Sequence, residues 1–330
     1  MNDRMRTTTL GADGPEVGVI GLGAMGMSFA YDMASERDEA TSIAVIHEAL
    51  DLGMTLIDTA DVYGPFTNEE LVGRALADRR DRAVLATKVG LEAVDPTGGP
   101  GGSPVTRKNG RPEHVRAAID ESLRRLRTDR LDLWQLHRVD PDVPIEETWG
   151  AMAEAVRAGK VRHLGLSEID LTVELIRRAQ AVHPVAAVQG EFSLWTRDLQ
   201  ADVLPYLQSE GIALIPFSPL GRGFLTGRFS SFDELPRNDQ RRRLPRFQEE
   251  NLAVNLRIAQ TVRELADRIG VTPAQLALAW ILAQGEHIVP IPGTKTPKYL
   301  RDNAGAAGVR LDAADLGVLN DLPAPVGARY

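Results

Sequence analysis

The sequence predicts an α/β fold, a single (β/α)₈ TIM barrel closed on itself rather than an open sheet. Three observations predict it. Short β-rich runs alternate with helical patterns along the whole chain, the order that parallel βαβ units require. The 330 residues suffice for such a barrel, which needs about 250 and tolerates insertions. Three consecutive runs end on titratable side chains, at Asp58, Lys88 and His137, and parallel barrels build their active sites at that end. No boundary, repeat or low-complexity tract interrupts the alternation, so residues 1–330 read as one domain.

The first β-rich run, residues 17–22, places Gly21, Gly23 and Gly26 in the spacing G-x-G-x-x-G. In a Rossmann unit that spacing holds a pyrophosphate. Such a unit needs a helix at once, then a second strand ending in an acid about 20 residues on. Residues 27–37 supply no clear strand, and the next run ends only at Asp58. The glycines therefore read as a tight strand exit, where bare backbone lies close to something bound.

Helix 41–52 follows, then strand 55–57, helix 68–77 and strand 83–86. Helix 112–126 opens with Pro112 at its first position, where the missing N–H costs nothing. Strand 131–136 leads to helix 144–158, which Gly159 closes. Strand 161–166, helix 171–181, strand 185–188, helix 199–209 and strand 212–216 continue the pattern. Helix 252–269 precedes helix 273–282, whose start reads as Thr272 N-cap and Pro273. The last strand is 288–291. Insertions 95–111, after the third strand, and 221–248, after the seventh, leave from C-terminal strand ends, where lids lie.

The formal net charge of -8 gives no global attraction to nucleic acid. The absence of cysteine excludes disulfides and thiolate metal sites, and no metal is expected. The polar first sixteen residues lack a signal-peptide core, and no apolar run approaches the ~20 residues of a membrane span. The expectation is a cytoplasmic protein with neither membrane nor nucleic-acid partner. Its oligomeric state is not legible.

The strand-end residues suit one kind of chemistry. Reducing a carbonyl by hydride transfer requires a proton at the developing alkoxide, and the protein supplies it. Tyr63, five residues after Asp58, is the candidate acid, although a free phenol titrates too high for neutral pH. An ammonium about 4 Å away contributes roughly 4 kcal/mol at an effective dielectric of 20. That lowers a tyrosine pKa by up to about 3, before burial opposes it. Lys88 is placed to supply the charge, Asp58 to pair with it, and a neutral His137 to orient the carbonyl. Each residue alone has an ordinary explanation as cap, rim aromatic, solvated charge or loop residue. Their order on successive strand ends carries the expectation.

At this point the chain resembles the aldo-keto reductase family, in the branch that holds perakine reductase and similar bacterial enzymes. The likeness runs from about Leu10 to Asn303. It includes Gly21-Leu-Gly-Ala-Met-Gly-Met-Ser28, Ile57-Asp-Thr-Ala-Asp-Val-Tyr-Gly64, Ala86-Thr-Lys88, Leu133-Trp-Gln-Leu-His-Arg138 and Gly159-Lys-Val-Arg-His-Leu-Gly-Leu-Ser-Glu168. Val188-Gln-Gly-Glu-Phe-Ser193, Phe217-Ser-Pro-Leu-Gly-Arg-Gly-Phe-Leu-Thr-Gly227 and Ile291-Pro-Gly-Thr-Lys295 continue it.

The resemblance implies an NADPH-dependent reductase of aldehydes or ketones, with NADH as a possible cofactor and a small carbonyl compound as substrate. It implies a catalytic tetrad of Asp58, Tyr63, Lys88 and His137, with Tyr63 as proton donor. Ser167 and Gln189 would hold the carboxamide, and Phe217 would stack on the nicotinamide, which Gly23, Ala24 and Met25 would approach. Ser218, Leu220, Gly221 and Arg222 would line the pyrophosphate. Gly293, Thr294 and Lys295 would meet the adenosine phosphate, with Asp302 and Asn303 near the adenine. A different class shares the barrel: the cofactor-binding β-subunits of potassium channels, regulatory rather than enzymatic.

The chain departs from the family pattern at three places. Glu168 stands where many relatives have asparagine, and Phe217 where tyrosine is frequent. Tyr299 replaces the arginine that usually meets the 2′-phosphate, which leaves Lys295 and Lys298 to supply the charge. The arginines at 237, 241, 242, 243 and 246 read either as a solvated loop or as a cationic lid. Trp195, Met25, Phe224 and the tail 323–330 are candidates for the substrate wall.

Overall fold

Parallel strands account for the centre of the fold. The computed structural model describes residues 5–28, 38–97, 99, 104–228, 231–235 and 239–330. An antiparallel hairpin comes first, β1 (Thr7–Thr9) with β2 (Glu16–Gly18). The barrel strands follow as β3 (Leu22–Gly23), β4 (Leu56–Asp58) and β5 (Val84–Val89). A second hairpin, β6 (Leu91–Asp95) with β7 (Val105–Lys108), fills the first insertion. The barrel continues with β8 (Leu131–Leu136), β9 (Val161–Ser167), β10 (Ala187–Glu191) and β11 (Ala213–Phe217). The parallel sheet runs β11-β10-β9-β8-β5-β4-β3.

The eighth expected strand, 288–291, closes the circle without forming a regular ladder. Leu214 donates its N–H to His287 at 2.9 Å, and Val289 donates back to Leu214 at 2.9 Å. Ile291 reaches Pro216 at 3.1 Å, and Gly21 reaches Pro290 at 2.9 Å. A parallel bridge joins Gly23 to Gly293. The physical reason is composition: Pro290 and Pro292 have no N–H to give, so alternate rungs are missing.

The first expected strand, 17–22, also divides. Its front half joins the hairpin and only Leu22–Gly23 enters the barrel. The hairpin caps the end where strands begin, since Ala12 donates to Gly211 just ahead of β11 at 2.8 Å. Leu10 and Val17 pack on the barrel interior, which is filled by Leu56, Ala86, Leu133, Ala187, Ala213, Ile215, Val289 and Ile291. The barrel is thus a packed core with one end covered.

Helices surround it: α1 (Glu39–Asp51), α2 (Thr67–Leu76), α3 (Pro112–Leu126), α4 (Ile145–Arg157), α5 (Val173–Gln180) and α6 (Val203–Glu210). Then come α7 (Glu249–Ile269), α8 (Pro273–Leu282), α9 (Pro297–Gly305) and α10 (Ala313–Asn320). The spans of α3 and α8 match the sequence expectation at both ends, because proline and capping signals fix their starts. Thr272 and Gln275 form a reciprocal capping box on α8. The last two helices were not expected from the sequence. Among the described residues, no helix is long and apolar enough to cross a membrane.

Candidate active site

Because β4, β5 and β8 are parallel neighbours in register, their C-terminal residues meet on one side. Asp58 ends β4, Lys88 lies one residue from the end of β5, and His137 follows β8 directly. Tyr63 is carried on the turn after β4. Tyr63 donates its N–H to Ala60 at 3.2 Å, while Asn68 donates its own to the Tyr63 carbonyl at 3.2 Å. Gly64 has φ +75°, and a Cβ there would lie 2.2 Å from the Thr67 hydroxyl, so the turn needs glycine.

The four side chains come together. The fully buried Lys88 ammonium pairs with Asp58 and donates to the Thr59 carbonyl at 2.9 Å. Its third neighbour is the Tyr63 hydroxyl at 3.5 Å. The Tyr63 and His137 rings stand edge to face, centroids 5.7 Å apart. Gln135 and Gln189 donate amide N–H groups to the second Asp58 oxygen, at 3.0 and 2.9 Å. A buried charge pair is tolerable when its remaining lone pairs are satisfied, as they are here.

The electrostatics differ in one respect from the sequence expectation. Burial raises the Tyr63 pKa above its ordinary value, outweighing the lowering by the Lys88 charge. The lysine argument is right in sign, but the apolar surroundings win. Burial pulls Lys88 down, while Asp58 and Tyr63 more than offset it, so the ammonium titrates above the ordinary lysine value. His137 is held well below the usual imidazole range, first by burial and then by the Arg138 and Lys88 charges. It is neutral near pH 7, and its Nδ1 is buried without a hydrogen-bond partner.

A cavity of about 1480 Å³ opens over these groups. It is larger than the roughly 300–1,000 Å³ of ordinary small-ligand sites. Asp58, Tyr63 and His137 line it, and so do Gly23, Met25, Ser167, Gln189 and Phe217. Ser218, Leu220, Arg222, Gly293, Thr294, Lys295, Asp302 and Asn303 continue the same wall. The residues expected from the resemblance to contact a cofactor thus largely share one continuous surface.

Some expected residues are placed otherwise. Ala24 and Gly221 are buried and do not line the cavity. Ala24 donates its N–H to Asp58 and accepts from Asn68, each at 2.9 Å. Gly221 lies where a Cβ would meet Trp195 at 2.7 Å. Trp195 and Phe224, expected in the substrate wall, are stacked core rings with centroids 4.0 Å apart. The tail does reach the wall, through Tyr330, and Met25 lines it as expected. Gln189 spends its amide on Asp58. Ser167 does not cap α5, a task that Thr172 performs.

The arginine cluster is neither wholly solvated nor a lid of charges. Arg241 lines the cavity but forks onto Asp239, with bonds of 2.9 and 2.6 Å. Arg242 donates to the Phe232 and Leu235 carbonyls, and Arg246 to Trp195 and Thr196. Arg243 is exposed, and Arg237 lies outside the described residues. Arg222 forks onto Glu191 at 3.0 Å through both nitrogens. Tyr330 donates to the same carboxylate at 3.0 Å and lies over the Arg222 guanidinium. Burial and Glu191 push the Tyr330 phenol up to about 12.

Sequence reasoning missed other participants. Arg138 lines the cavity and donates to the His137 carbonyl at 2.6 Å and the Ser167 hydroxyl at 3.3 Å. Glu168 accepts from the Val139 and Ile169 N–H groups, so its carboxylate is occupied outside the cavity. Behind Lys88, Glu69 and Arg125 form a buried pair at 2.6 Å, to which Thr87 donates at 2.6 Å. Only the periodic burial of α2 and α3, which turns Glu69 and Arg125 inward, hints at that pair.

Three comparisons bear on this geometry. The profile of the Aldo/keto reductase family matches residues 19–322. A curated relative, probable aldo-keto reductase 1 of Glycine max, is 44% identical over 315 residues, covering 95% of this chain and 87% of its own. A solved glycerol dehydrogenase from Gluconobacter oxydans superposes with a TM-score of 0.84 at 29% identity, covering 96% and 94% of the two chains. An aldo/keto reductase from Klebsiella pneumoniae, solved with NADP and acetate, gives 0.73 at 27% identity, covering 98% and 99%.

Proposed function

The chain belongs to the aldo/keto reductase family of oxidoreductases, and on that premise we propose that it reduces an aldehyde or ketone to the alcohol with NADPH. The observation that carries the proposal is the Asp58–Lys88–Tyr63–His137 constellation at the mouth of the cavity.

The residues present fit such a cofactor. One cavity wall extends from the tetrad to Asp302 and Asn303, and Gly23, Gly223 and Gly293 put bare backbone against it. Ser167 and Phe217 would hold the nicotinamide end, with Gln189 offering only its amide oxygen because its N–H groups go to Asp58 and Gln135, and Gly293, Thr294, Lys295 and Asn303 would hold the adenosine end. When bound, NADPH supplies the hydride that reduces the carbonyl carbon.

The chain's own residues do the rest. Tyr63 gives its phenolic proton to the carbonyl oxygen as negative charge develops there. Its raised pKa keeps that proton in place at neutral pH. Lys88, 3.5 Å away, stabilises the phenolate left behind, and Asp58 holds the ammonium in position. His137, neutral, orients the carbonyl oxygen from the other side of Tyr63. Met25, Leu91 and Val62 give the reacting end an apolar wall, which suits hydrophobic carbonyl compounds. We further propose that residues 1–330 act as one barrel domain.

A panel of aldehydes and ketones with NADPH oxidation followed by absorbance tests the proposal. Turnover with simple aromatic aldehydes is expected. No turnover across the panel despite tight NADPH binding would favour a sensor instead.

A further inference from the structure

The loop that follows β8 carries a cation to the reacting end of the cavity. Arg138 adjoins His137 and lines the cavity, its side chain 16% exposed. Its Nη1 donates to the His137 carbonyl at 2.6 Å and to the Ser167 hydroxyl at 3.3 Å. Among the described residues, Nε and Nη2 have no hydrogen-bond acceptor, and Glu168, 3.9 Å from Nε, is the one carboxylate within 4.0 Å. The Glu168 oxygens already accept from Ile169 and Val139 at 2.7 and 2.8 Å. Arg222 and Arg241 on the same wall are held more closely, by Glu191 at 3.0 Å and by Asp239 at 2.6 Å. Burial dominates the titration of Tyr63, His137 and Tyr330, and on each the Arg138 charge adds a pull downward. The guanidinium is therefore near both the proton donor and the tail.

We propose that Arg138 determines substrate specificity by binding a carboxylate of the carbonyl compound, so that preferred substrates are aldehydes or ketones with an apolar body and an acid group. This rests on the function proposed above and names its substrate class. A mostly buried cation is costly unless an anion or hydrogen-bond acceptors satisfy it. Here the backbone fixes one nitrogen and leaves the other donors of the fork for a ligand. A carboxylate matches a guanidinium fork with two parallel bonds, which a lysine cannot offer. A site built around such a contact rejects the analogue that lacks the group, since the charge is then left unpaired. The apolar side chains Met25, Leu91 and Val62 would receive the rest of the molecule. The carbonyl carbon takes the hydride of NADPH and its oxygen takes the Tyr63 proton, giving the hydroxy acid and NADP⁺. The carboxylate is unchanged, and solvent returns the proton to Tyr63.

The test compares 3- and 4-formylbenzoate with their methyl esters, which keep the aldehyde and the ring and lose the charge. NADPH oxidation is followed in wild type, Arg138→Gln and Arg138→Lys. Wild type should favour at least one acid over its ester in kcat/KM by about tenfold or more. That preference should shrink as salt is raised. Arg138→Gln should lower the acid-to-ester ratio about tenfold, chiefly through KM, and Arg138→Lys should lower it less. No acid preference in wild type, or one indifferent to salt, would overturn the inference even if the variants fail to fold. So would weaker NADPH binding in Arg138→Gln with an unchanged acid-to-ester ratio, which would place Arg138 on the cofactor. In each case reduction of the esters would leave the reductase reading standing. Failure of wild type to reduce any aldehyde would overturn that reading as well.

Discussion

Gln189 donates its side-chain amide to Asp58 at 2.9 Å, although the two are 131 positions apart. The bond fixes β10 to β4 across the barrel mouth and occupies a side chain that the motif alone assigned to cofactor. Asp58 therefore has an ammonium on one oxygen and two amides on the other. Removing one amide leaves a buried charge undersatisfied. Gln189→Leu is expected to destabilise the protein by about 1–3 kcal/mol, read from the denaturation midpoint. A midpoint equal to wild type would show that Gln135 alone suffices.

Tyr63→Phe removes the proton donor and keeps the ring against His137 and Lys88. Carbonyl reduction should fall by about 10²–10⁴-fold with NADPH affinity nearly unchanged. Retention of more than a tenth of the wild-type kcat would assign proton delivery elsewhere.

The His137 pKa is depressed in the folded protein, so this group contributes stability that is fully present above the unfolded value near 6.5. That contribution is lost as pH falls through the folded value. The thermal midpoint should therefore decline below about pH 6.5, and less so in His137→Gln. Parallel midpoint curves for the two proteins between pH 5 and 8 would contradict the assignment.

Tyr63 has the opposite sense. Its folded pKa lies above the unfolded value near 10, so its contribution is present below pH ~10 and lost as pH rises through the folded value. Reduction should accordingly persist through neutral pH and decline only above about pH 10. A decline in kcat centred near neutrality and absent from Tyr63→Phe would mean that Lys88 dominates after all.

Glu191 is 2% exposed and gathers Arg222, Thr196 and Tyr330 around one carboxylate. Glu191→Ala leaves the Arg222 charge without its partner beneath the tail. A loss of about 3–5 kcal/mol is expected, together with faster proteolysis after residue 320. Tyr330→Phe, which keeps the ion pair, should lose much less. Equal losses in the two variants would place the energy in the phenol bond.

The barrel was legible because its signals are local. Short β-rich runs, proline starts at 112 and 273 and the strand-end residues Asp58, Lys88 and His137 all lie within short windows. The eighth strand was legible as an apolar run, but not as an incomplete ladder, since Pro290 and Pro292 remove donors only once a partner strand is known. Trp195 was misplaced because an aromatic reads alike on a pocket wall and in a core; Phe224 and Phe247 decide it.

Sequence by itself determined the fold class, the family and which side chains stand at the strand ends, because each follows from spacing along the chain. Tertiary structure alone decided what those side chains touch: Gln189 on Asp58, Arg222 on Glu191, Arg228 on Tyr299. It also decided the direction of the Tyr63 pKa, because desolvation depends on everything packed around a group and Coulomb attraction on one neighbour.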